Sequence, residues 1–161
     1  MKKRLIKRIR ENHKYIEPKY DFLKYMRICR LYTQKKHELT LNEFEILLFF
    51  YSEDMFTKYD AVKQISGMYN IGAAAFGRMI RRKLFVFYRN YGYGNGSMYV
   101  LSPLAKNIIK EFYAKLYGEE IFSEKDLNNP KFKAAPIYSA AYIRMAKSMN
   151  DELKEARITK R

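Results

Sequence analysis

Apolar residues recur at three- and four-residue spacing along most of this chain, and give way to β-rich runs only between Phe85 and Leu101. Pro18 suits the first turn of a helix, and from Phe22 to Tyr32 only Lys24, Arg27 and Arg30 interrupt the apolar residues. A helix so apolar around its circumference is expected to be buried on more than one side. Thr40-Leu41-Asn42-Glu43 has the form of a capping box, with Leu39 and Phe44 placed to staple it, and predicts a helix through Ile46, Leu47, Leu48, Phe49 and Phe50. Thr57-Lys58-Tyr59-Asp60 reads as a second start, with Val62, Ile65 and Met68 inward and Gly67 as its C-terminal cap. Asn70 is the expected N-cap of a third helix, Ile71 to about Lys83, whose core side is Phe76, Met79, Ile80 and Leu84 and whose outer side is Ala74, Gly77, Arg78 and Arg81.

Phe85 to Tyr91 and Ser97 to Leu101 predict two strands joined through the tight-turn pair Asn95-Gly96. Ser102-Pro103 opens a helix with the face Leu104, Ile108, Ile109, Phe112 and Leu116, ended by Gly118. Glu119 to Ala135 reads as a connecting loop with one helical turn, and Pro136 opens a last helix to about Ala156 with the stripe Tyr138, Ala141, Tyr142, Met145, Met149 and Leu153. With no further core in view, that stripe is expected on the N-terminal helices or on a partner. The fold class is therefore mainly α with a small β-hairpin. The stretch 39–101 reads as a winged helix-turn-helix core within a domain at 18–161, flanked by N- and C-terminal dimerisation helices and preceded by a basic arm at 1–17. In such a core the helix carrying Arg78, Arg81 and Arg82 is the one that reaches a DNA major groove. Its small residues suit a helix lying deep in a groove, and equally suit close packing on another helix.

Charge sharpens the picture. The 161 residues carry a formal net charge of +15, which favours polyanions, nucleic acid first and an acidic membrane surface second. Met1 to Lys36 holds 13 Lys or Arg against 3 acids, whereas His37 to Phe122 holds 10 against 9. Affinity is thus expected from the arm, through Lys2, Lys3, Arg4, Lys7, Arg8 and Arg10, and discrimination from the helix. Leu5, Ile6 and Ile9 lie at helical spacing within that arm, which reads as a flexible tail, a short helix on DNA or a membrane-surface helix without an aromatic anchor. No apolar run has the length of a membrane span, and Met1 to Arg10 lacks the apolar stretch of a secretory signal.

Catalytic motifs are missing. His13 and His37 stand in separate segments, Cys29 is the sole cysteine, and no spacing suggests a metal site. Gly92, Gly94 and Gly96 have no following Lys-Ser or Lys-Thr and read as a turn rather than a phosphate loop. Glu53-Asp54 and Glu119-Glu120 read as solvated acids near helix ends. The expectation is no enzyme, no cofactor and no metal. The 15 tyrosines and 11 phenylalanines could stack on bases, but most fall at core spacing.

The order of elements, together with Leu39-Thr40, Phe44, Leu47-Leu48, Arg78 to Val86 and Val100-Leu101-Ser102, resembles the MarR-like winged-helix regulators over roughly Pro18 to Ala156. The resemblance implies a homodimer interlocked through its terminal helices, with two recognition helices in successive major grooves of double-stranded DNA. It implies groove positions at Asn70, Ala74, Arg78 and Arg81, with Arg89 near the wing. The chain departs from the family pattern at Leu84, where a Gly is usual, and in Tyr91-Gly92-Tyr93-Gly94-Asn95-Gly96, where the family carries Asp-x-Arg. The expectation is a cytoplasmic, nucleoid-associated transcription regulator of cellular or viral origin. The alternatives are an architectural or packaging DNA-binding protein of little specificity, and a winged-helix protein-interaction module in a larger assembly.

Overall fold

Thr40 starts the central helix as its sequence dictates. In the computed structural model, which describes residues 22–62, 73–90, 96–128 and 136–158, the Glu43 N–H donates to Thr40 Oγ1 at 3.2 Å and the Thr40 N–H donates to Glu43 Oε2 at 2.9 Å. Both backbone donors are satisfied, and the helix runs Leu41–Phe50 (α2). It follows α1, Phe22–Lys36, and leads into a two-residue strand β1, Phe56–Thr57. Residues 58–62 are helical (α3), capped by Thr57, whose Oγ1 accepts from the Asp60 N–H at 3.1 Å. Then come α4 (Ala73–Arg81), β2 (Phe85–Asn90), β3 (Ser97–Leu101), α5 (Pro103–Leu116), α6 (Glu124–Leu127) and α7 (Pro136–Ile158). The described chain is mainly helical, with one small antiparallel sheet in the order β1-β3-β2.

The two-residue strand is the element that the sequence pattern misses. Phe56 pairs with Tyr99 and Thr57 with Met98, so the expected hairpin becomes a three-stranded sheet. Two residues carry no period, and Thr57 serves as both strand residue and helix cap. Phe56 is held by rings rather than by propensity: it stacks on Phe50 at 3.9 Å and meets Phe85 edge-on at 4.8 Å. Phe76 of α4 joins the cluster 5.3 Å from Phe85. These four phenylalanines bind α2, β1, α4 and β2 into one unit, each well-oriented pair contributing about 0.5–1.5 kcal/mol beyond its buried area.

On the other side of α2, Phe44 meets Phe112 of α5 at 5.0 Å, and the core continues through Ile108, Ile109 and Leu116 to Tyr25, Ile28, Cys29 and Tyr32 of α1. The expected cap of α5 is present: Ser102 Oγ accepts from the Ala105 N–H at 3.0 Å, and Pro103 occupies the first turn. Gly118 follows at φ +74°, a backbone conformation that a side chain resists.

The α7 stripe takes the first of its two expected homes, the N-terminal helix: Tyr142, Ala146, Met149 and Leu153 are buried, and α7 packs on α1. Met149 Sδ lies 3.9 Å from Cys29 Sγ of α1, and Lys24 of α1 pairs with Glu152. The Asn150 side chain clasps the Phe122 backbone, accepting from its N–H at 2.9 Å and donating to its carbonyl at 2.8 Å. The buried face is thereby turned away from Ala141 and Met145, which are exposed, Met145 at 43%. Ile80, expected in the core, is exposed because Met79 and Phe76 take the inward positions of α4. Pro18, Ile65, Gly67, Met68 and the turn residue Asn95 lie outside the described residues.

Candidate nucleic-acid interface

The α4 helix owes its orientation to Phe76 and Met79, both buried, which leave Ala74, Arg78 and Arg81 on the exposed side. Positions 74, 78 and 81 fall at i, i+4 and i+7, a single face of the helix. Gly77 lies between them, and a Cβ built there would stand 3.4 Å from Arg81 Nη1, so the Arg81 guanidinium folds back beside the glycine. The helix ends without a glycine. Lys83 takes φ +57° while the Lys83 N–H donates to the Ile80 carbonyl and the Leu84 N–H donates to the Met79 carbonyl, each at 2.9 Å. This is a Schellman ending with Lys in the left-handed position and the buried pair Met79 and Leu84 closing it. Leu84 therefore sits one residue past the left-handed position.

Arg82 is drawn inward instead. Its Nη1 donates to Glu43 Oε2 at 2.9 Å and its Nη2 to the His37 carbonyl at 2.9 Å. Glu43 is buried, and a buried carboxylate needs such partners. The carboxylate also lies at the N-terminus of α2, where the helix dipole favours a negative charge. Arg78 Nε stands 3.9 Å from Glu43 Oε1, at the edge of ion-pair range, and its side chain is half exposed. Of the three arginines expected at the interface, Arg81 and Arg78 face outward, and Arg82 anchors α4 to the start of α2.

Arg89 is exposed on β2, with its guanidinium carbon 5.6 Å from the Tyr88 ring centre. β2 is an edge strand, and every residue in it from Val86 to Asn90 is exposed. Asn70 and the arm residues Lys2, Lys3, Arg4, Lys7, Arg8 and Arg10 lie outside the described residues.

A signal in the sequence marks this pole more plainly than the arginine spacing. Residues 61–110 contain no Asp or Glu, although the chain has 17, and they carry Lys63, Arg78, Arg81, Arg82, Lys83, Arg89, Lys106 and Lys110. The near-neutral charge of the central region is thus an average over a basic part and a flanking acidic part. Six of the flanking acids fall in 37–60, and Glu111, Glu119 and Glu120 follow.

A second polar cluster, at the far end of α5, is structural. Lys36 and His37 both reach Glu111, His37 Nε2 lying 2.9 Å from Glu111 Oε2. The Tyr32 hydroxyl donates to Asp126 Oδ1 at 2.7 Å, and Lys115, buried, donates to Asp126 Oδ2 at 3.3 Å. Burial pushes the Glu111 carboxyl up, but hydrogen bonds from His37 and Lys36 outweigh it and bring it down to about 2. Burial pushes the Cys29 thiol up to about 12, which makes it an unreactive core residue. Among the described residues, no group of three or more His, Cys, Asp or Glu side chains is placed to hold a metal ion, and no helix is long and apolar enough to cross a membrane.

No family model, no curated protein and no solved structure matches this chain.

Proposed function

We propose that this protein binds double-stranded DNA as a winged-helix protein, with α4 entering the major groove and β2 and β3 forming the wing. The observation that carries the reading is the coincidence of a basic, acid-free segment with an exposed helix face set beside a β1-β3-β2 sheet. In this reading Ala74, Arg78 and Arg81 face the base edges, Lys83 and Arg89 meet phosphates, and Arg82 holds the helix from behind. The N-terminal arm adds charge along the backbone. The leading role is a transcription regulator. Weighing toward an architectural role is the arm itself, since its charge contributes affinity without sequence information.

A second copy of the chain is part of the proposal. Leu23 and Met26 on α1 and Met145 on α7 are exposed apolar side chains on the two terminal helices, and a twofold pairing there would set two α4 helices about one DNA turn apart, roughly 34 Å. Light scattering that gives a 19.4 kDa monomer at micromolar concentration would remove the homodimer from the reading.

The test is duplex binding measured with and without excess random competitor across a salt series. Log affinity is expected to fall with log salt by roughly 0.9 per phosphate neutralised. Arg78→Ala with Arg81→Ala is expected to cost about 1–3 kcal/mol for each arginine that reads a base edge, and to relax preference at that position. A specificity ratio near one selects the architectural role over the regulator. Absence of any duplex binding refutes the proposal and leaves α4 as a protein-facing helix.

A further inference from the structure

Strand β2 carries an aromatic surface that duplex binding does not use. Val86, Phe87 and Tyr88 are consecutive, and Phe87 and Tyr88 are 52% and 53% exposed. The ladder to β3 pairs Phe87 with Tyr99 and then Arg89 with Met98, so Tyr88 has no partner across the strand and occupies a bulge. Bulges re-aim a side chain and blunt an edge. Three exposed apolar residues in a row on an edge strand are otherwise a liability for aggregation. The Phe87 ring is steadied edge-on by Tyr99 at 6.2 Å, and Tyr88 is flanked by the Arg89 guanidinium.

The charge of the segment that carries these rings selects the class of ligand. No acid occurs from residue 61 to 110, and Arg78, Arg81, Lys83 and Arg89 belong to the same segment. An apolar protein strand added to this edge would gain nothing from those cations. A nucleic-acid strand with unpaired bases uses both features, because its phosphates meet the cations and its bases stack on the rings. Inside a duplex the base faces are already stacked on one another.

We propose that Phe87 and Tyr88, with Arg89, form a stacking surface for unpaired bases, so that the preferred ligand is a duplex with a single-stranded flank. This rests on the duplex reading above and adds to it the form of DNA that is favoured.

The chain contains no Trp, so Tyr88→Trp, excited at wavelengths that its tyrosines do not absorb, supplies a single tryptophan reporter at the surface itself. Three ligands are titrated: a blunt duplex, the same duplex with an unpaired flank, and the flank strand alone. The flanked duplex is expected to quench the emission and to bind about tenfold more tightly than the blunt one. Phe87→Leu with Tyr88→Leu keeps an apolar edge strand without rings, and circular dichroism checks that its fold is retained. In that variant the flank preference is expected to vanish while blunt-duplex affinity stays.

Equal affinity for flanked and blunt duplex in the unmodified chain overturns the stacking surface and leaves the duplex reading standing. Binding of the single strand and of the flanked duplex, with none of the blunt duplex, supports the stacking surface and refutes the duplex reading. Flank preference that survives in the Leu variant overturns the assignment to these rings. Emission that changes with protein concentration alone, before any DNA is added, shows the strand covered by a second copy and overturns the proposal.

Discussion

Arg81 and Arg82 are neighbours in sequence, yet their substitution by Ala is expected to have opposite consequences. Arg82 makes two charge-assisted hydrogen bonds, to Glu43 Oε2 and to the His37 carbonyl, each at 2.9 Å. A hydrogen bond involving a charged group contributes about 1.5–3 kcal/mol. The Arg82 side chain is 34% exposed, so solvent screening takes its share toward the lower end, whereas Glu43 at 3% keeps nearly the full cost of losing a partner. After Arg82→Ala the carboxylate retains the Thr40 N–H and the more distant Arg78. The net loss is therefore about 2–3 kcal/mol, or roughly 4–12 °C in Tm for a chain of this size. Arg81→Ala removes a surface side chain and should change stability by no more than about 0.5 kcal/mol. Urea unfolding followed by circular dichroism measures the first effect. Duplex binding of the folded variants measures the second, where Arg81→Ala should weaken binding and Arg82→Ala should do so only through loss of the fold. If Arg82→Ala unfolds at the same urea concentration as the unmodified chain, the Glu43 clasp does not hold α4, and Arg82 becomes a candidate DNA-binding residue again.

Glu111 should set the acid limb of stability. Its folded-state pKa, about 2, lies below the unfolded value near 4.3, so its contribution is complete above that value and lost as the pH falls toward 2. Glu111→Gln should flatten the dependence of unfolding free energy on pH across this window, and an unaltered slope would refute the assignment. Gly118→Ala is expected to destabilise by about 1–2 kcal/mol, since φ is +74° there and the new Cβ would fall 2.2 Å from Leu153 Cδ2; an unchanged Tm would mean that the α5 terminus relaxes freely. Gly77→Ala meets only ordinary packing against Arg81 and should raise stability by up to about 1 kcal/mol. If α4 lies deep in a groove, that same methyl should weaken duplex binding, and full affinity in the variant would argue for shallow docking.

The sequence made the caps legible because they depend on two or three adjacent residues. Thr40 with Glu43, Thr57 with Asp60, and Ser102 with Pro103 all start helices as local chemistry requires. Long-range packing was less legible. The pattern alone left the cover of the α7 stripe open between the N-terminal helices and a partner, because nothing local announces that Asn150 clasps Phe122 or that Met149 meets Cys29 across 120 positions of sequence. Phe122 sits in a polar stretch that reads as loop, yet it is buried and meets the Tyr32 ring at 5.3 Å. Strand β1 escaped for a related reason, since Phe56 is placed by Phe50 and Phe85 rather than by any period of its own.

The candidate site shows the same division between local and distant information. Spacing alone puts Arg78, Arg81 and Arg82 on offer together, since a helix face of about one-third of a turn cannot be drawn more finely from sequence. What separates them is Glu43, 39 residues earlier, which is itself fixed by the capping box of a different helix. A buried acid at a helix N-terminus attracts whichever arginine the packing brings nearest, and the buried pair Phe76 and Met79 brings Arg82. The arginine taken inward makes the helix rigid, and the two left outside are thereby presented on a fixed frame. Electrostatics at this pole then follow from what is missing as much as from what is present. With no acid between residues 61 and 110, the outward cations have no competing carboxylate within their own segment, and Glu43, which reaches them from α2, is already engaged by Arg82. Such a surface keeps its field for an external polyanion, which is why the charge count of the whole central region understates what α4 and β2 can attract.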